Sequence, residues 1–221
     1  MKKSIVFLIV IAWLTSVWPL TAQMRQYLHD NWTFGEARLQ NRYSAQIPGV
    51  VHTDLLRHGL IDDPYLGMNE RKGQGVDKED WVYETSFQVP DSLLAEDRID
   101  LCFDGLDTYA DVYLNDTKVL EADNMFRRWH VDVKSLLRGN ASAKGSSQAA
   151  ENVLRVYFHS PVKVDMPKWE KYPSLYGASN DQSENGGLLD RKISVFARKA
   201  GYHYGWDWGP RLVTSGIWRN V

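Results

Sequence analysis

The chain has 221 residues, and 26 Lys and Arg against 28 Asp and Glu leave a formal charge of −2, which excludes a nucleic-acid binder built on a basic stripe and an anchor on an acidic membrane surface. With 43% apolar and 24% charged residues the composition is that of a folded globular protein, not a disordered one. A single cysteine, Cys102, excludes an internal disulfide framework and a multi-cysteine zinc site, so nine Trp, eleven Tyr and seven Phe are the unusual feature to follow.

In chain order, the first segment reads as an address. Lys2 and Lys3 precede an apolar run from Ile5 to Leu14, and Thr15, Ser16, Pro19 and Thr21-Ala22 follow. This is the pattern of a secretory signal peptide over residues 1–22, cut after Ala22. The run is short for a membrane span, which needs roughly 20 residues; an uncut signal anchor is the alternative. Residues 23–221 then suit one domain, with no membrane contact after cleavage. Export to a bacterial periplasm or the outside follows, or to a lysosome in a eukaryotic host.

Beyond the signal the pattern is mainly β. Val51 to Leu60 spaces its apolar residues as a short helix, with Leu55, Leu56 and Leu60 on one side. Trp81 to Val89 is rich in β-formers and ends at Pro90; Arg98 to Phe103 and Thr108 to Leu114 follow as strands. Cys102 shares a strand face with Asp100 and Asp104. Asn115-Asp116 is a hairpin signal before a return strand over Thr117 to Glu121. Phe126 to Val133 and Val153 to Phe158 are further strands. Gly139 to Ala150 and Tyr172 to Leu189 read as loops. Ser215 to Val221 starts a last strand with no turn after it, so the chain is expected to stop inside that strand. Short strands at this spacing predict an all-β jelly-roll sandwich. Sequons occur at Asn31, Asn115 and Asn140.

Chemistry concentrates in Tyr202-His-Tyr-Gly-Trp-Asp-Trp208, followed by Gly209-Pro210-Arg211. Aromatic faces stack on the C–H faces of sugar rings, and carboxylates accept hydrogen bonds from sugar hydroxyls, so an Asp between two Trp suits a pyranose pocket. The alternative is a corner whose Trp side chains plug the core. The acidic pairs Asp62-Asp63, Asn69-Glu70 and Glu79-Asp80 sit in polar contexts and read as solvated faces. His52 is a neighbour of Asp54 in sequence, but such neighbours do not face each other on a helix; Asp54 reads as capping or charging the helix start. No phosphate loop, HExxH helix or Gly-x-Ser-x-Gly elbow occurs, and no cofactor or metal is expected.

At these residues the chain resembles the N-terminal part of β-mannosidases of glycoside hydrolase family 2. The matching blocks are Ile47 to Leu56, Asp63 to Glu70, Trp81-Val-Tyr83, Phe103 to Asn115, Met125-Phe-Arg-Arg-Trp129, Arg198-Lys-Ala200 and, above all, Gly205-Trp-Asp-Trp-Gly-Pro-Arg-Leu-Val-Thr-Ser-Gly-Ile-Trp-Arg219. The resemblance implies a galactose-binding-like jelly roll beside an immunoglobulin-like domain and a (β/α)8 barrel. It implies retaining exo-hydrolysis of terminal β-linked mannose by two barrel Glu residues, so no catalytic residue is expected in this chain, which is then inactive alone. It also implies that Trp206 walls the terminal-mannose pocket and that Asp207 accepts hydrogen bonds from sugar hydroxyls, with Trp208, His203 and Tyr204 as weaker candidates and Arg128 and Trp129 equally readable as structural. The implied partners are a mannose-containing oligosaccharide or glycoprotein glycan and the two further domains. The alternatives are a stand-alone carbohydrate-binding module and an inactive truncated remnant.

Overall fold

The computed structural model describes residues 24–139, 150–172 and 180–221. The expected signal peptide over residues 1–22 lies outside the described residues, as do 140–149 of the first expected loop with the sequon at Asn140, and 173–179 of the second loop.

The strands in chain order are β1 (Thr33–Glu36), β2 (Tyr43–Ser44), β3 (Trp81–Phe87), β4 (Asp100–Phe103), β5 (Tyr109–Leu114), β6 (Thr117–Asp123), β7 (Trp129–Asp132) and β8 (Asn152–Phe158). They form an antiparallel six-stranded sheet, β2-β1-β3-β8-β5-β6, and a two-stranded sheet, β4-β7. The helices are α1 (Val51–Arg57), α2 (Asn69–Lys72), α3 (Asp91–Leu94) and α4 (Pro161–Lys171).

Alternation along the central strands makes the core. Leu154, Val156 and Phe158 of β8 are buried and pair with Leu114, Val112 and Ala110 of β5. Such cross-strand apolar pairs are the stabilising unit of a sheet. Leu101 and Phe103 of β4 and Trp129 of β7 belong to the same apolar cluster, as do Phe34, Tyr83, Val51 and Ile217. The layered all-β architecture is the one expected from strand spacing. The hairpin between β5 and β6 turns at Asn115 (φ +49°) and Asp116 (φ +66°), the positive pair a primed turn needs. The Asn115 side chain is consumed by the fold. Its Nδ2 donates to the Leu136 carbonyl and to Asn152 Oδ1, both at 2.9 Å, and its Oδ1 accepts from the Val153 N–H at 3.0 Å.

Several expectations are corrected. In α1, Val51 and Leu55 are buried one turn apart, whereas Leu56 and Leu60 are exposed. The helix ends at Arg57 and Gly59 takes φ +64°, which carries Leu60 off the helical face. Asp54 places a charge in the first turn, as expected, but does not cap it. Its buried carboxylate accepts from the Gln46 N–H and the Tyr83 hydroxyl, each at 3.1 Å, and pairs with Arg57 at 2.6 Å. Helix α4 falls between the Val153–Phe158 strand and the Tyr172–Leu189 loop, at residues to which the sequence assigned no element. Ser160 Oγ caps it by accepting from the Lys163 N–H at 3.1 Å, and Pro161 occupies the first turn, where a missing N–H costs nothing. Ser215 to Val221 is not a ladder strand. Gly216 makes one bridge with Asp107, Ser215 and Ile217 accept from Val51 and Gly49, and Val221 accepts from Leu28. Cys102 is half-buried between buried Leu101 and Phe103, in keeping with strand alternation.

Candidate functional site

The site begins with a tight reversal. Trp206 N donates to Gly209 O at 3.1 Å, and Gly209 N returns a bond to Trp206 O at 3.4 Å. Asp207 and Trp208 therefore form the tip, and both are exposed, Trp208 by 73%. The Trp206 and Trp208 rings lie 6.2 Å apart at 40° and flank Asp207. Among the described residues no hydrogen-bonding or ionic partner meets the Asp207 carboxylate. An exposed Trp face beside an uncommitted carboxylate is the arrangement a hydroxylated ring needs: one surface for its C–H face and one acceptor for its hydroxyls.

The base of the turn is rigid. Gly205 takes φ +99°, which an L side chain rarely adopts, and a Cβ there would lie 2.8 Å from Gln182 Oε1. Tyr204 is fully buried in a small apolar cluster with Val162, Leu188, Ile193 and Val213. Burial, and then the nearby Asp165, hold its phenol well above the usual tyrosine range. Arg211, on the far side of the turn, is buried against Gly186, where a Cβ would meet the guanidinium at 2.6 Å. Its Nη2 lies 2.7 Å from Asp77 Oδ2, its Nη1 donates to Gln74 Oε1 at 2.8 Å, and its backbone N–H donates to Glu70 Oε1 at 3.0 Å. The turn thus stands between a tyrosine locked in apolar packing and an arginine locked in polar packing.

Under the turn lies a buried charge cluster. Lys199 and Asp107 are an ion pair with side chains 0% and 1% exposed. Burial works against the charged Asp107, but the Lys199 ammonium and the hydrogen bonds from Lys199 and Thr108 together keep the carboxyl below its usual range. Thr214 Oγ1 donates its one hydrogen to Asp107 Oδ2 at 2.5 Å. It must then accept from Lys199 Nζ at 3.2 Å and from His203 Nδ1 at 2.9 Å, which assigns the His203 proton to Nδ1. Burial, and then Lys199, lower the His203 imidazole to about 4. His52 is buried with Nδ1 unpartnered, and burial followed by Lys199 lowers it to about 3. Both histidines are neutral at physiological pH.

The sequence candidates thus separate. Trp206, Asp207 and Trp208 share one exposed turn; Tyr204 points into the interior and His203 is half-buried on Thr214, so within this chain both support the turn from below. Trp129 is buried under Arg127, whose Cζ sits 4.4 Å above the ring, and Arg128 lies 3.4 Å from Asp104. Trp129 is thus packed in the core, whereas Arg128 is largely exposed. Of the acidic pairs, Asp62 meets Lys72 at 3.0 Å on the exposed surface, Asp63 accepts from the Tyr65 N–H at 2.9 Å, Glu70 accepts from the Arg211 backbone N–H at 3.0 Å, and Asp80 accepts from the Ser160 N–H at 2.8 Å and the Tyr157 hydroxyl at 3.0 Å. Lys199, Asp107, Arg211 and Gln182 escaped sequence reasoning because their partners lie far away in the chain. The tight Gly205 before the Trp pair was the one local signal. Among the described residues no group of three or more His, Cys, Asp or Glu is arranged to hold a metal ion.

The comparisons with known proteins agree with this architecture. The profile of the glycosyl hydrolase 2 galactose-binding domain-like family matches residues 32–219. A protein named β-mannosidase B from Thermothelomyces thermophilus is 38% identical over 198 residues, covering 88% of this chain and 21% of its own. One of the same name from Aspergillus terreus is 35% identical over 203 residues, covering 89% and 22%. The crystal structure of a β-D-mannosidase from Dictyoglomus thermophilum superposes with a TM-score of 0.75 at 40% identity, over 89% of this chain and 22% of that one. The chain spans about a fifth of the length of the relatives it matches.

Proposed function

The chain belongs to the glycosyl hydrolase 2 galactose-binding domain-like family, and on that premise we propose that it is the N-terminal domain of an exported, retaining exo-β-mannosidase. Its role is to shape the subsite for the terminal non-reducing mannose. Trp206 forms a wall and Asp207 accepts hydrogen bonds from sugar hydroxyls, with Trp208 as an outer stacking face. The observation that carries this reading is the braced turn that offers an uncommitted carboxylate between two Trp rings. The likeness to β-mannosidases at 35–40% identity supports the choice of sugar. Bond cleavage belongs to a further domain, where retention needs two carboxyl groups roughly 5–5.5 Å apart. Lys2, Lys3 and the apolar run from Ile5 to Leu14 support export.

The test is mannose release from an aryl β-mannoside. The complete protein carrying this chain releases mannose and leaves the β-glucoside and β-glucuronide analogues largely intact, and residues 23–221 alone release none. Activity of the complete protein on β-glucuronides in preference to β-mannosides sinks the reading.

A further inference from the structure

The stretch from Asn180 to Gly187 reads in the sequence as a featureless polar loop. In the structure it is a brace for the Trp206–Gly209 turn. Asp181 is buried and organises the loop: its Oδ2 accepts from the Ser194 N–H at 2.9 Å, its Oδ1 accepts from the Ser183 hydroxyl, and Lys192 closes on its carbonyl. Leu188 then enters the apolar cluster around Tyr204. From this platform Gln182 reaches the turn twice. Its backbone N–H donates to Tyr204 O at 2.9 Å, and its side-chain Nε2 donates to Trp206 O at 2.8 Å. The other end of the carboxamide is also fixed, because Oε1 accepts from Asn185 Nδ2 at 3.1 Å. The side chain packs where Gly205 lacks a Cβ, so any other residue at 205 would collide with it.

The Trp206 carbonyl is the last backbone acceptor before Asp207. The turn's own return bond to it, from Gly209 N, is 3.4 Å long, against 2.8 Å from Gln182. The shorter bond restrains the carbonyl of the Trp206–Asp207 peptide, the unit from which Asp207 follows.

We propose that Gln182 is a positioning residue: its carboxamide grips the Trp206 carbonyl and thereby fixes where Asp207 meets the sugar. This rests on the subsite role assigned above. Gln182 acts through Asp207, so its loss should matter only while Asp207 is present.

The experiment is a double-mutant cycle on the complete protein with an aryl β-mannoside, using Gln182→Met, which keeps length and removes the donor, Asp207→Ala, and the pair. Gln182→Met is expected to lower kcat/KM about tenfold, chiefly through KM, and in the Asp207→Ala background to change it less than twofold. Gln182→Glu, which also lacks the donor at neutral pH, should behave as Gln182→Met does. Amide exchange by mass spectrometry on the same variants should speed up at 205–209 and stay unchanged in β5 and β8. If both single changes lower kcat/KM and their losses multiply, or if Gln182→Met leaves kcat/KM intact while Asp207→Ala does not, the positioning role is overturned and the subsite reading stands. If Asp207→Ala leaves kcat/KM unchanged, the subsite reading fails and the positioning role with it. Faster exchange throughout the sheet in Gln182→Met assigns the residue to general stability and overturns the proposal.

Discussion

Lys199→Met should unfold this domain far more readily than its lack of contact with any ligand suggests. The substitution nearly preserves volume but leaves the Asp107 carboxylate buried with only the Thr108 and Thr214 hydroxyls, each at 2.5 Å, as side-chain partners. Removing one member of a buried pair costs about 3–5 kcal/mol, because the other charge stays desolvated. With a urea dependence of about 2 kcal/mol/M for a domain of this size, the unfolding midpoint should fall by about 2 M. Urea titration followed by tryptophan fluorescence reads this directly. Adding Asp107→Asn removes the stranded charge and should restore roughly 2 kcal/mol. His203 gives a second signature. Its Nδ1 lies 4.0 Å from Asp107 Oδ2, and the Lys199 ammonium is one of the two causes that keep it neutral. Without Lys199 the imidazole takes up a proton more easily and can pair with Asp107, so the penalty should shrink from pH 7 toward pH 5. A loss under about 1 kcal/mol, or a double variant no more stable than Lys199→Met, would refute the reasoning.

Acid should weaken the fold through its buried histidines. Unfolded histidine titrates near 6.5, whereas His52 and His203 titrate at about 3 and about 4 in the folded chain. Between those values only the unfolded state binds the proton, so stability is intact above pH 6.5 and falls as pH drops through this window. At pH 5 the loss is roughly 2 kcal/mol for each histidine, and His52→Gln should flatten the pH dependence of the urea midpoint between pH 6.5 and 4. Gly205→Ala forces a side chain into φ +99° against Gln182 and should cost about 1–3 kcal/mol, seen as a lower melting temperature, with a raised KM for aryl mannosides in the complete protein. Asn115 should stay unmodified when the chain is secreted by a glycosylating host, since its amide is bound inside the fold; a glycan on Asn115 in peptide mass spectrometry would contradict the hairpin geometry.

What the sequence reveals here depends on how local the cause is. β3, β5 and β8 were legible because their alternation and β-branched content are properties of seven or so consecutive residues, and the Asn115-Asp116 turn was legible because positive φ favours those residue types. Helix α4 was not, since Pro161 and Pro167 argue against a helix unless Ser160 is seen to cap it and the first proline to sit in the first turn. Leu56 and Leu60 misled because a helical spacing was extended past the residue where the helix stops. At the site, the Trp-Asp-Trp tip could be read from residue types alone. Its supports could not: Lys199 meets Asp107 across 92 residues and Gln74 meets Arg211 across 137, and a charge or amide with a distant buried partner looks, in one dimension, like a solvated one.

The central claim is that Asp207 holds the terminal sugar, and kcat/KM for an aryl β-mannoside measured on the complete protein and on its Asp207→Ala variant tests it most directly. Hydrogen bonds to a charged group contribute about 1.5–3 kcal/mol each, so the variant should lose roughly ten- to a hundredfold in kcat/KM for each bond it forgoes while its urea midpoint stays near that of the parent, because among the described residues the Asp207 carboxylate has no partner. An Asp207→Ala protein with unchanged kcat/KM would contradict the claim, and the exposed turn would then have no part in holding the sugar.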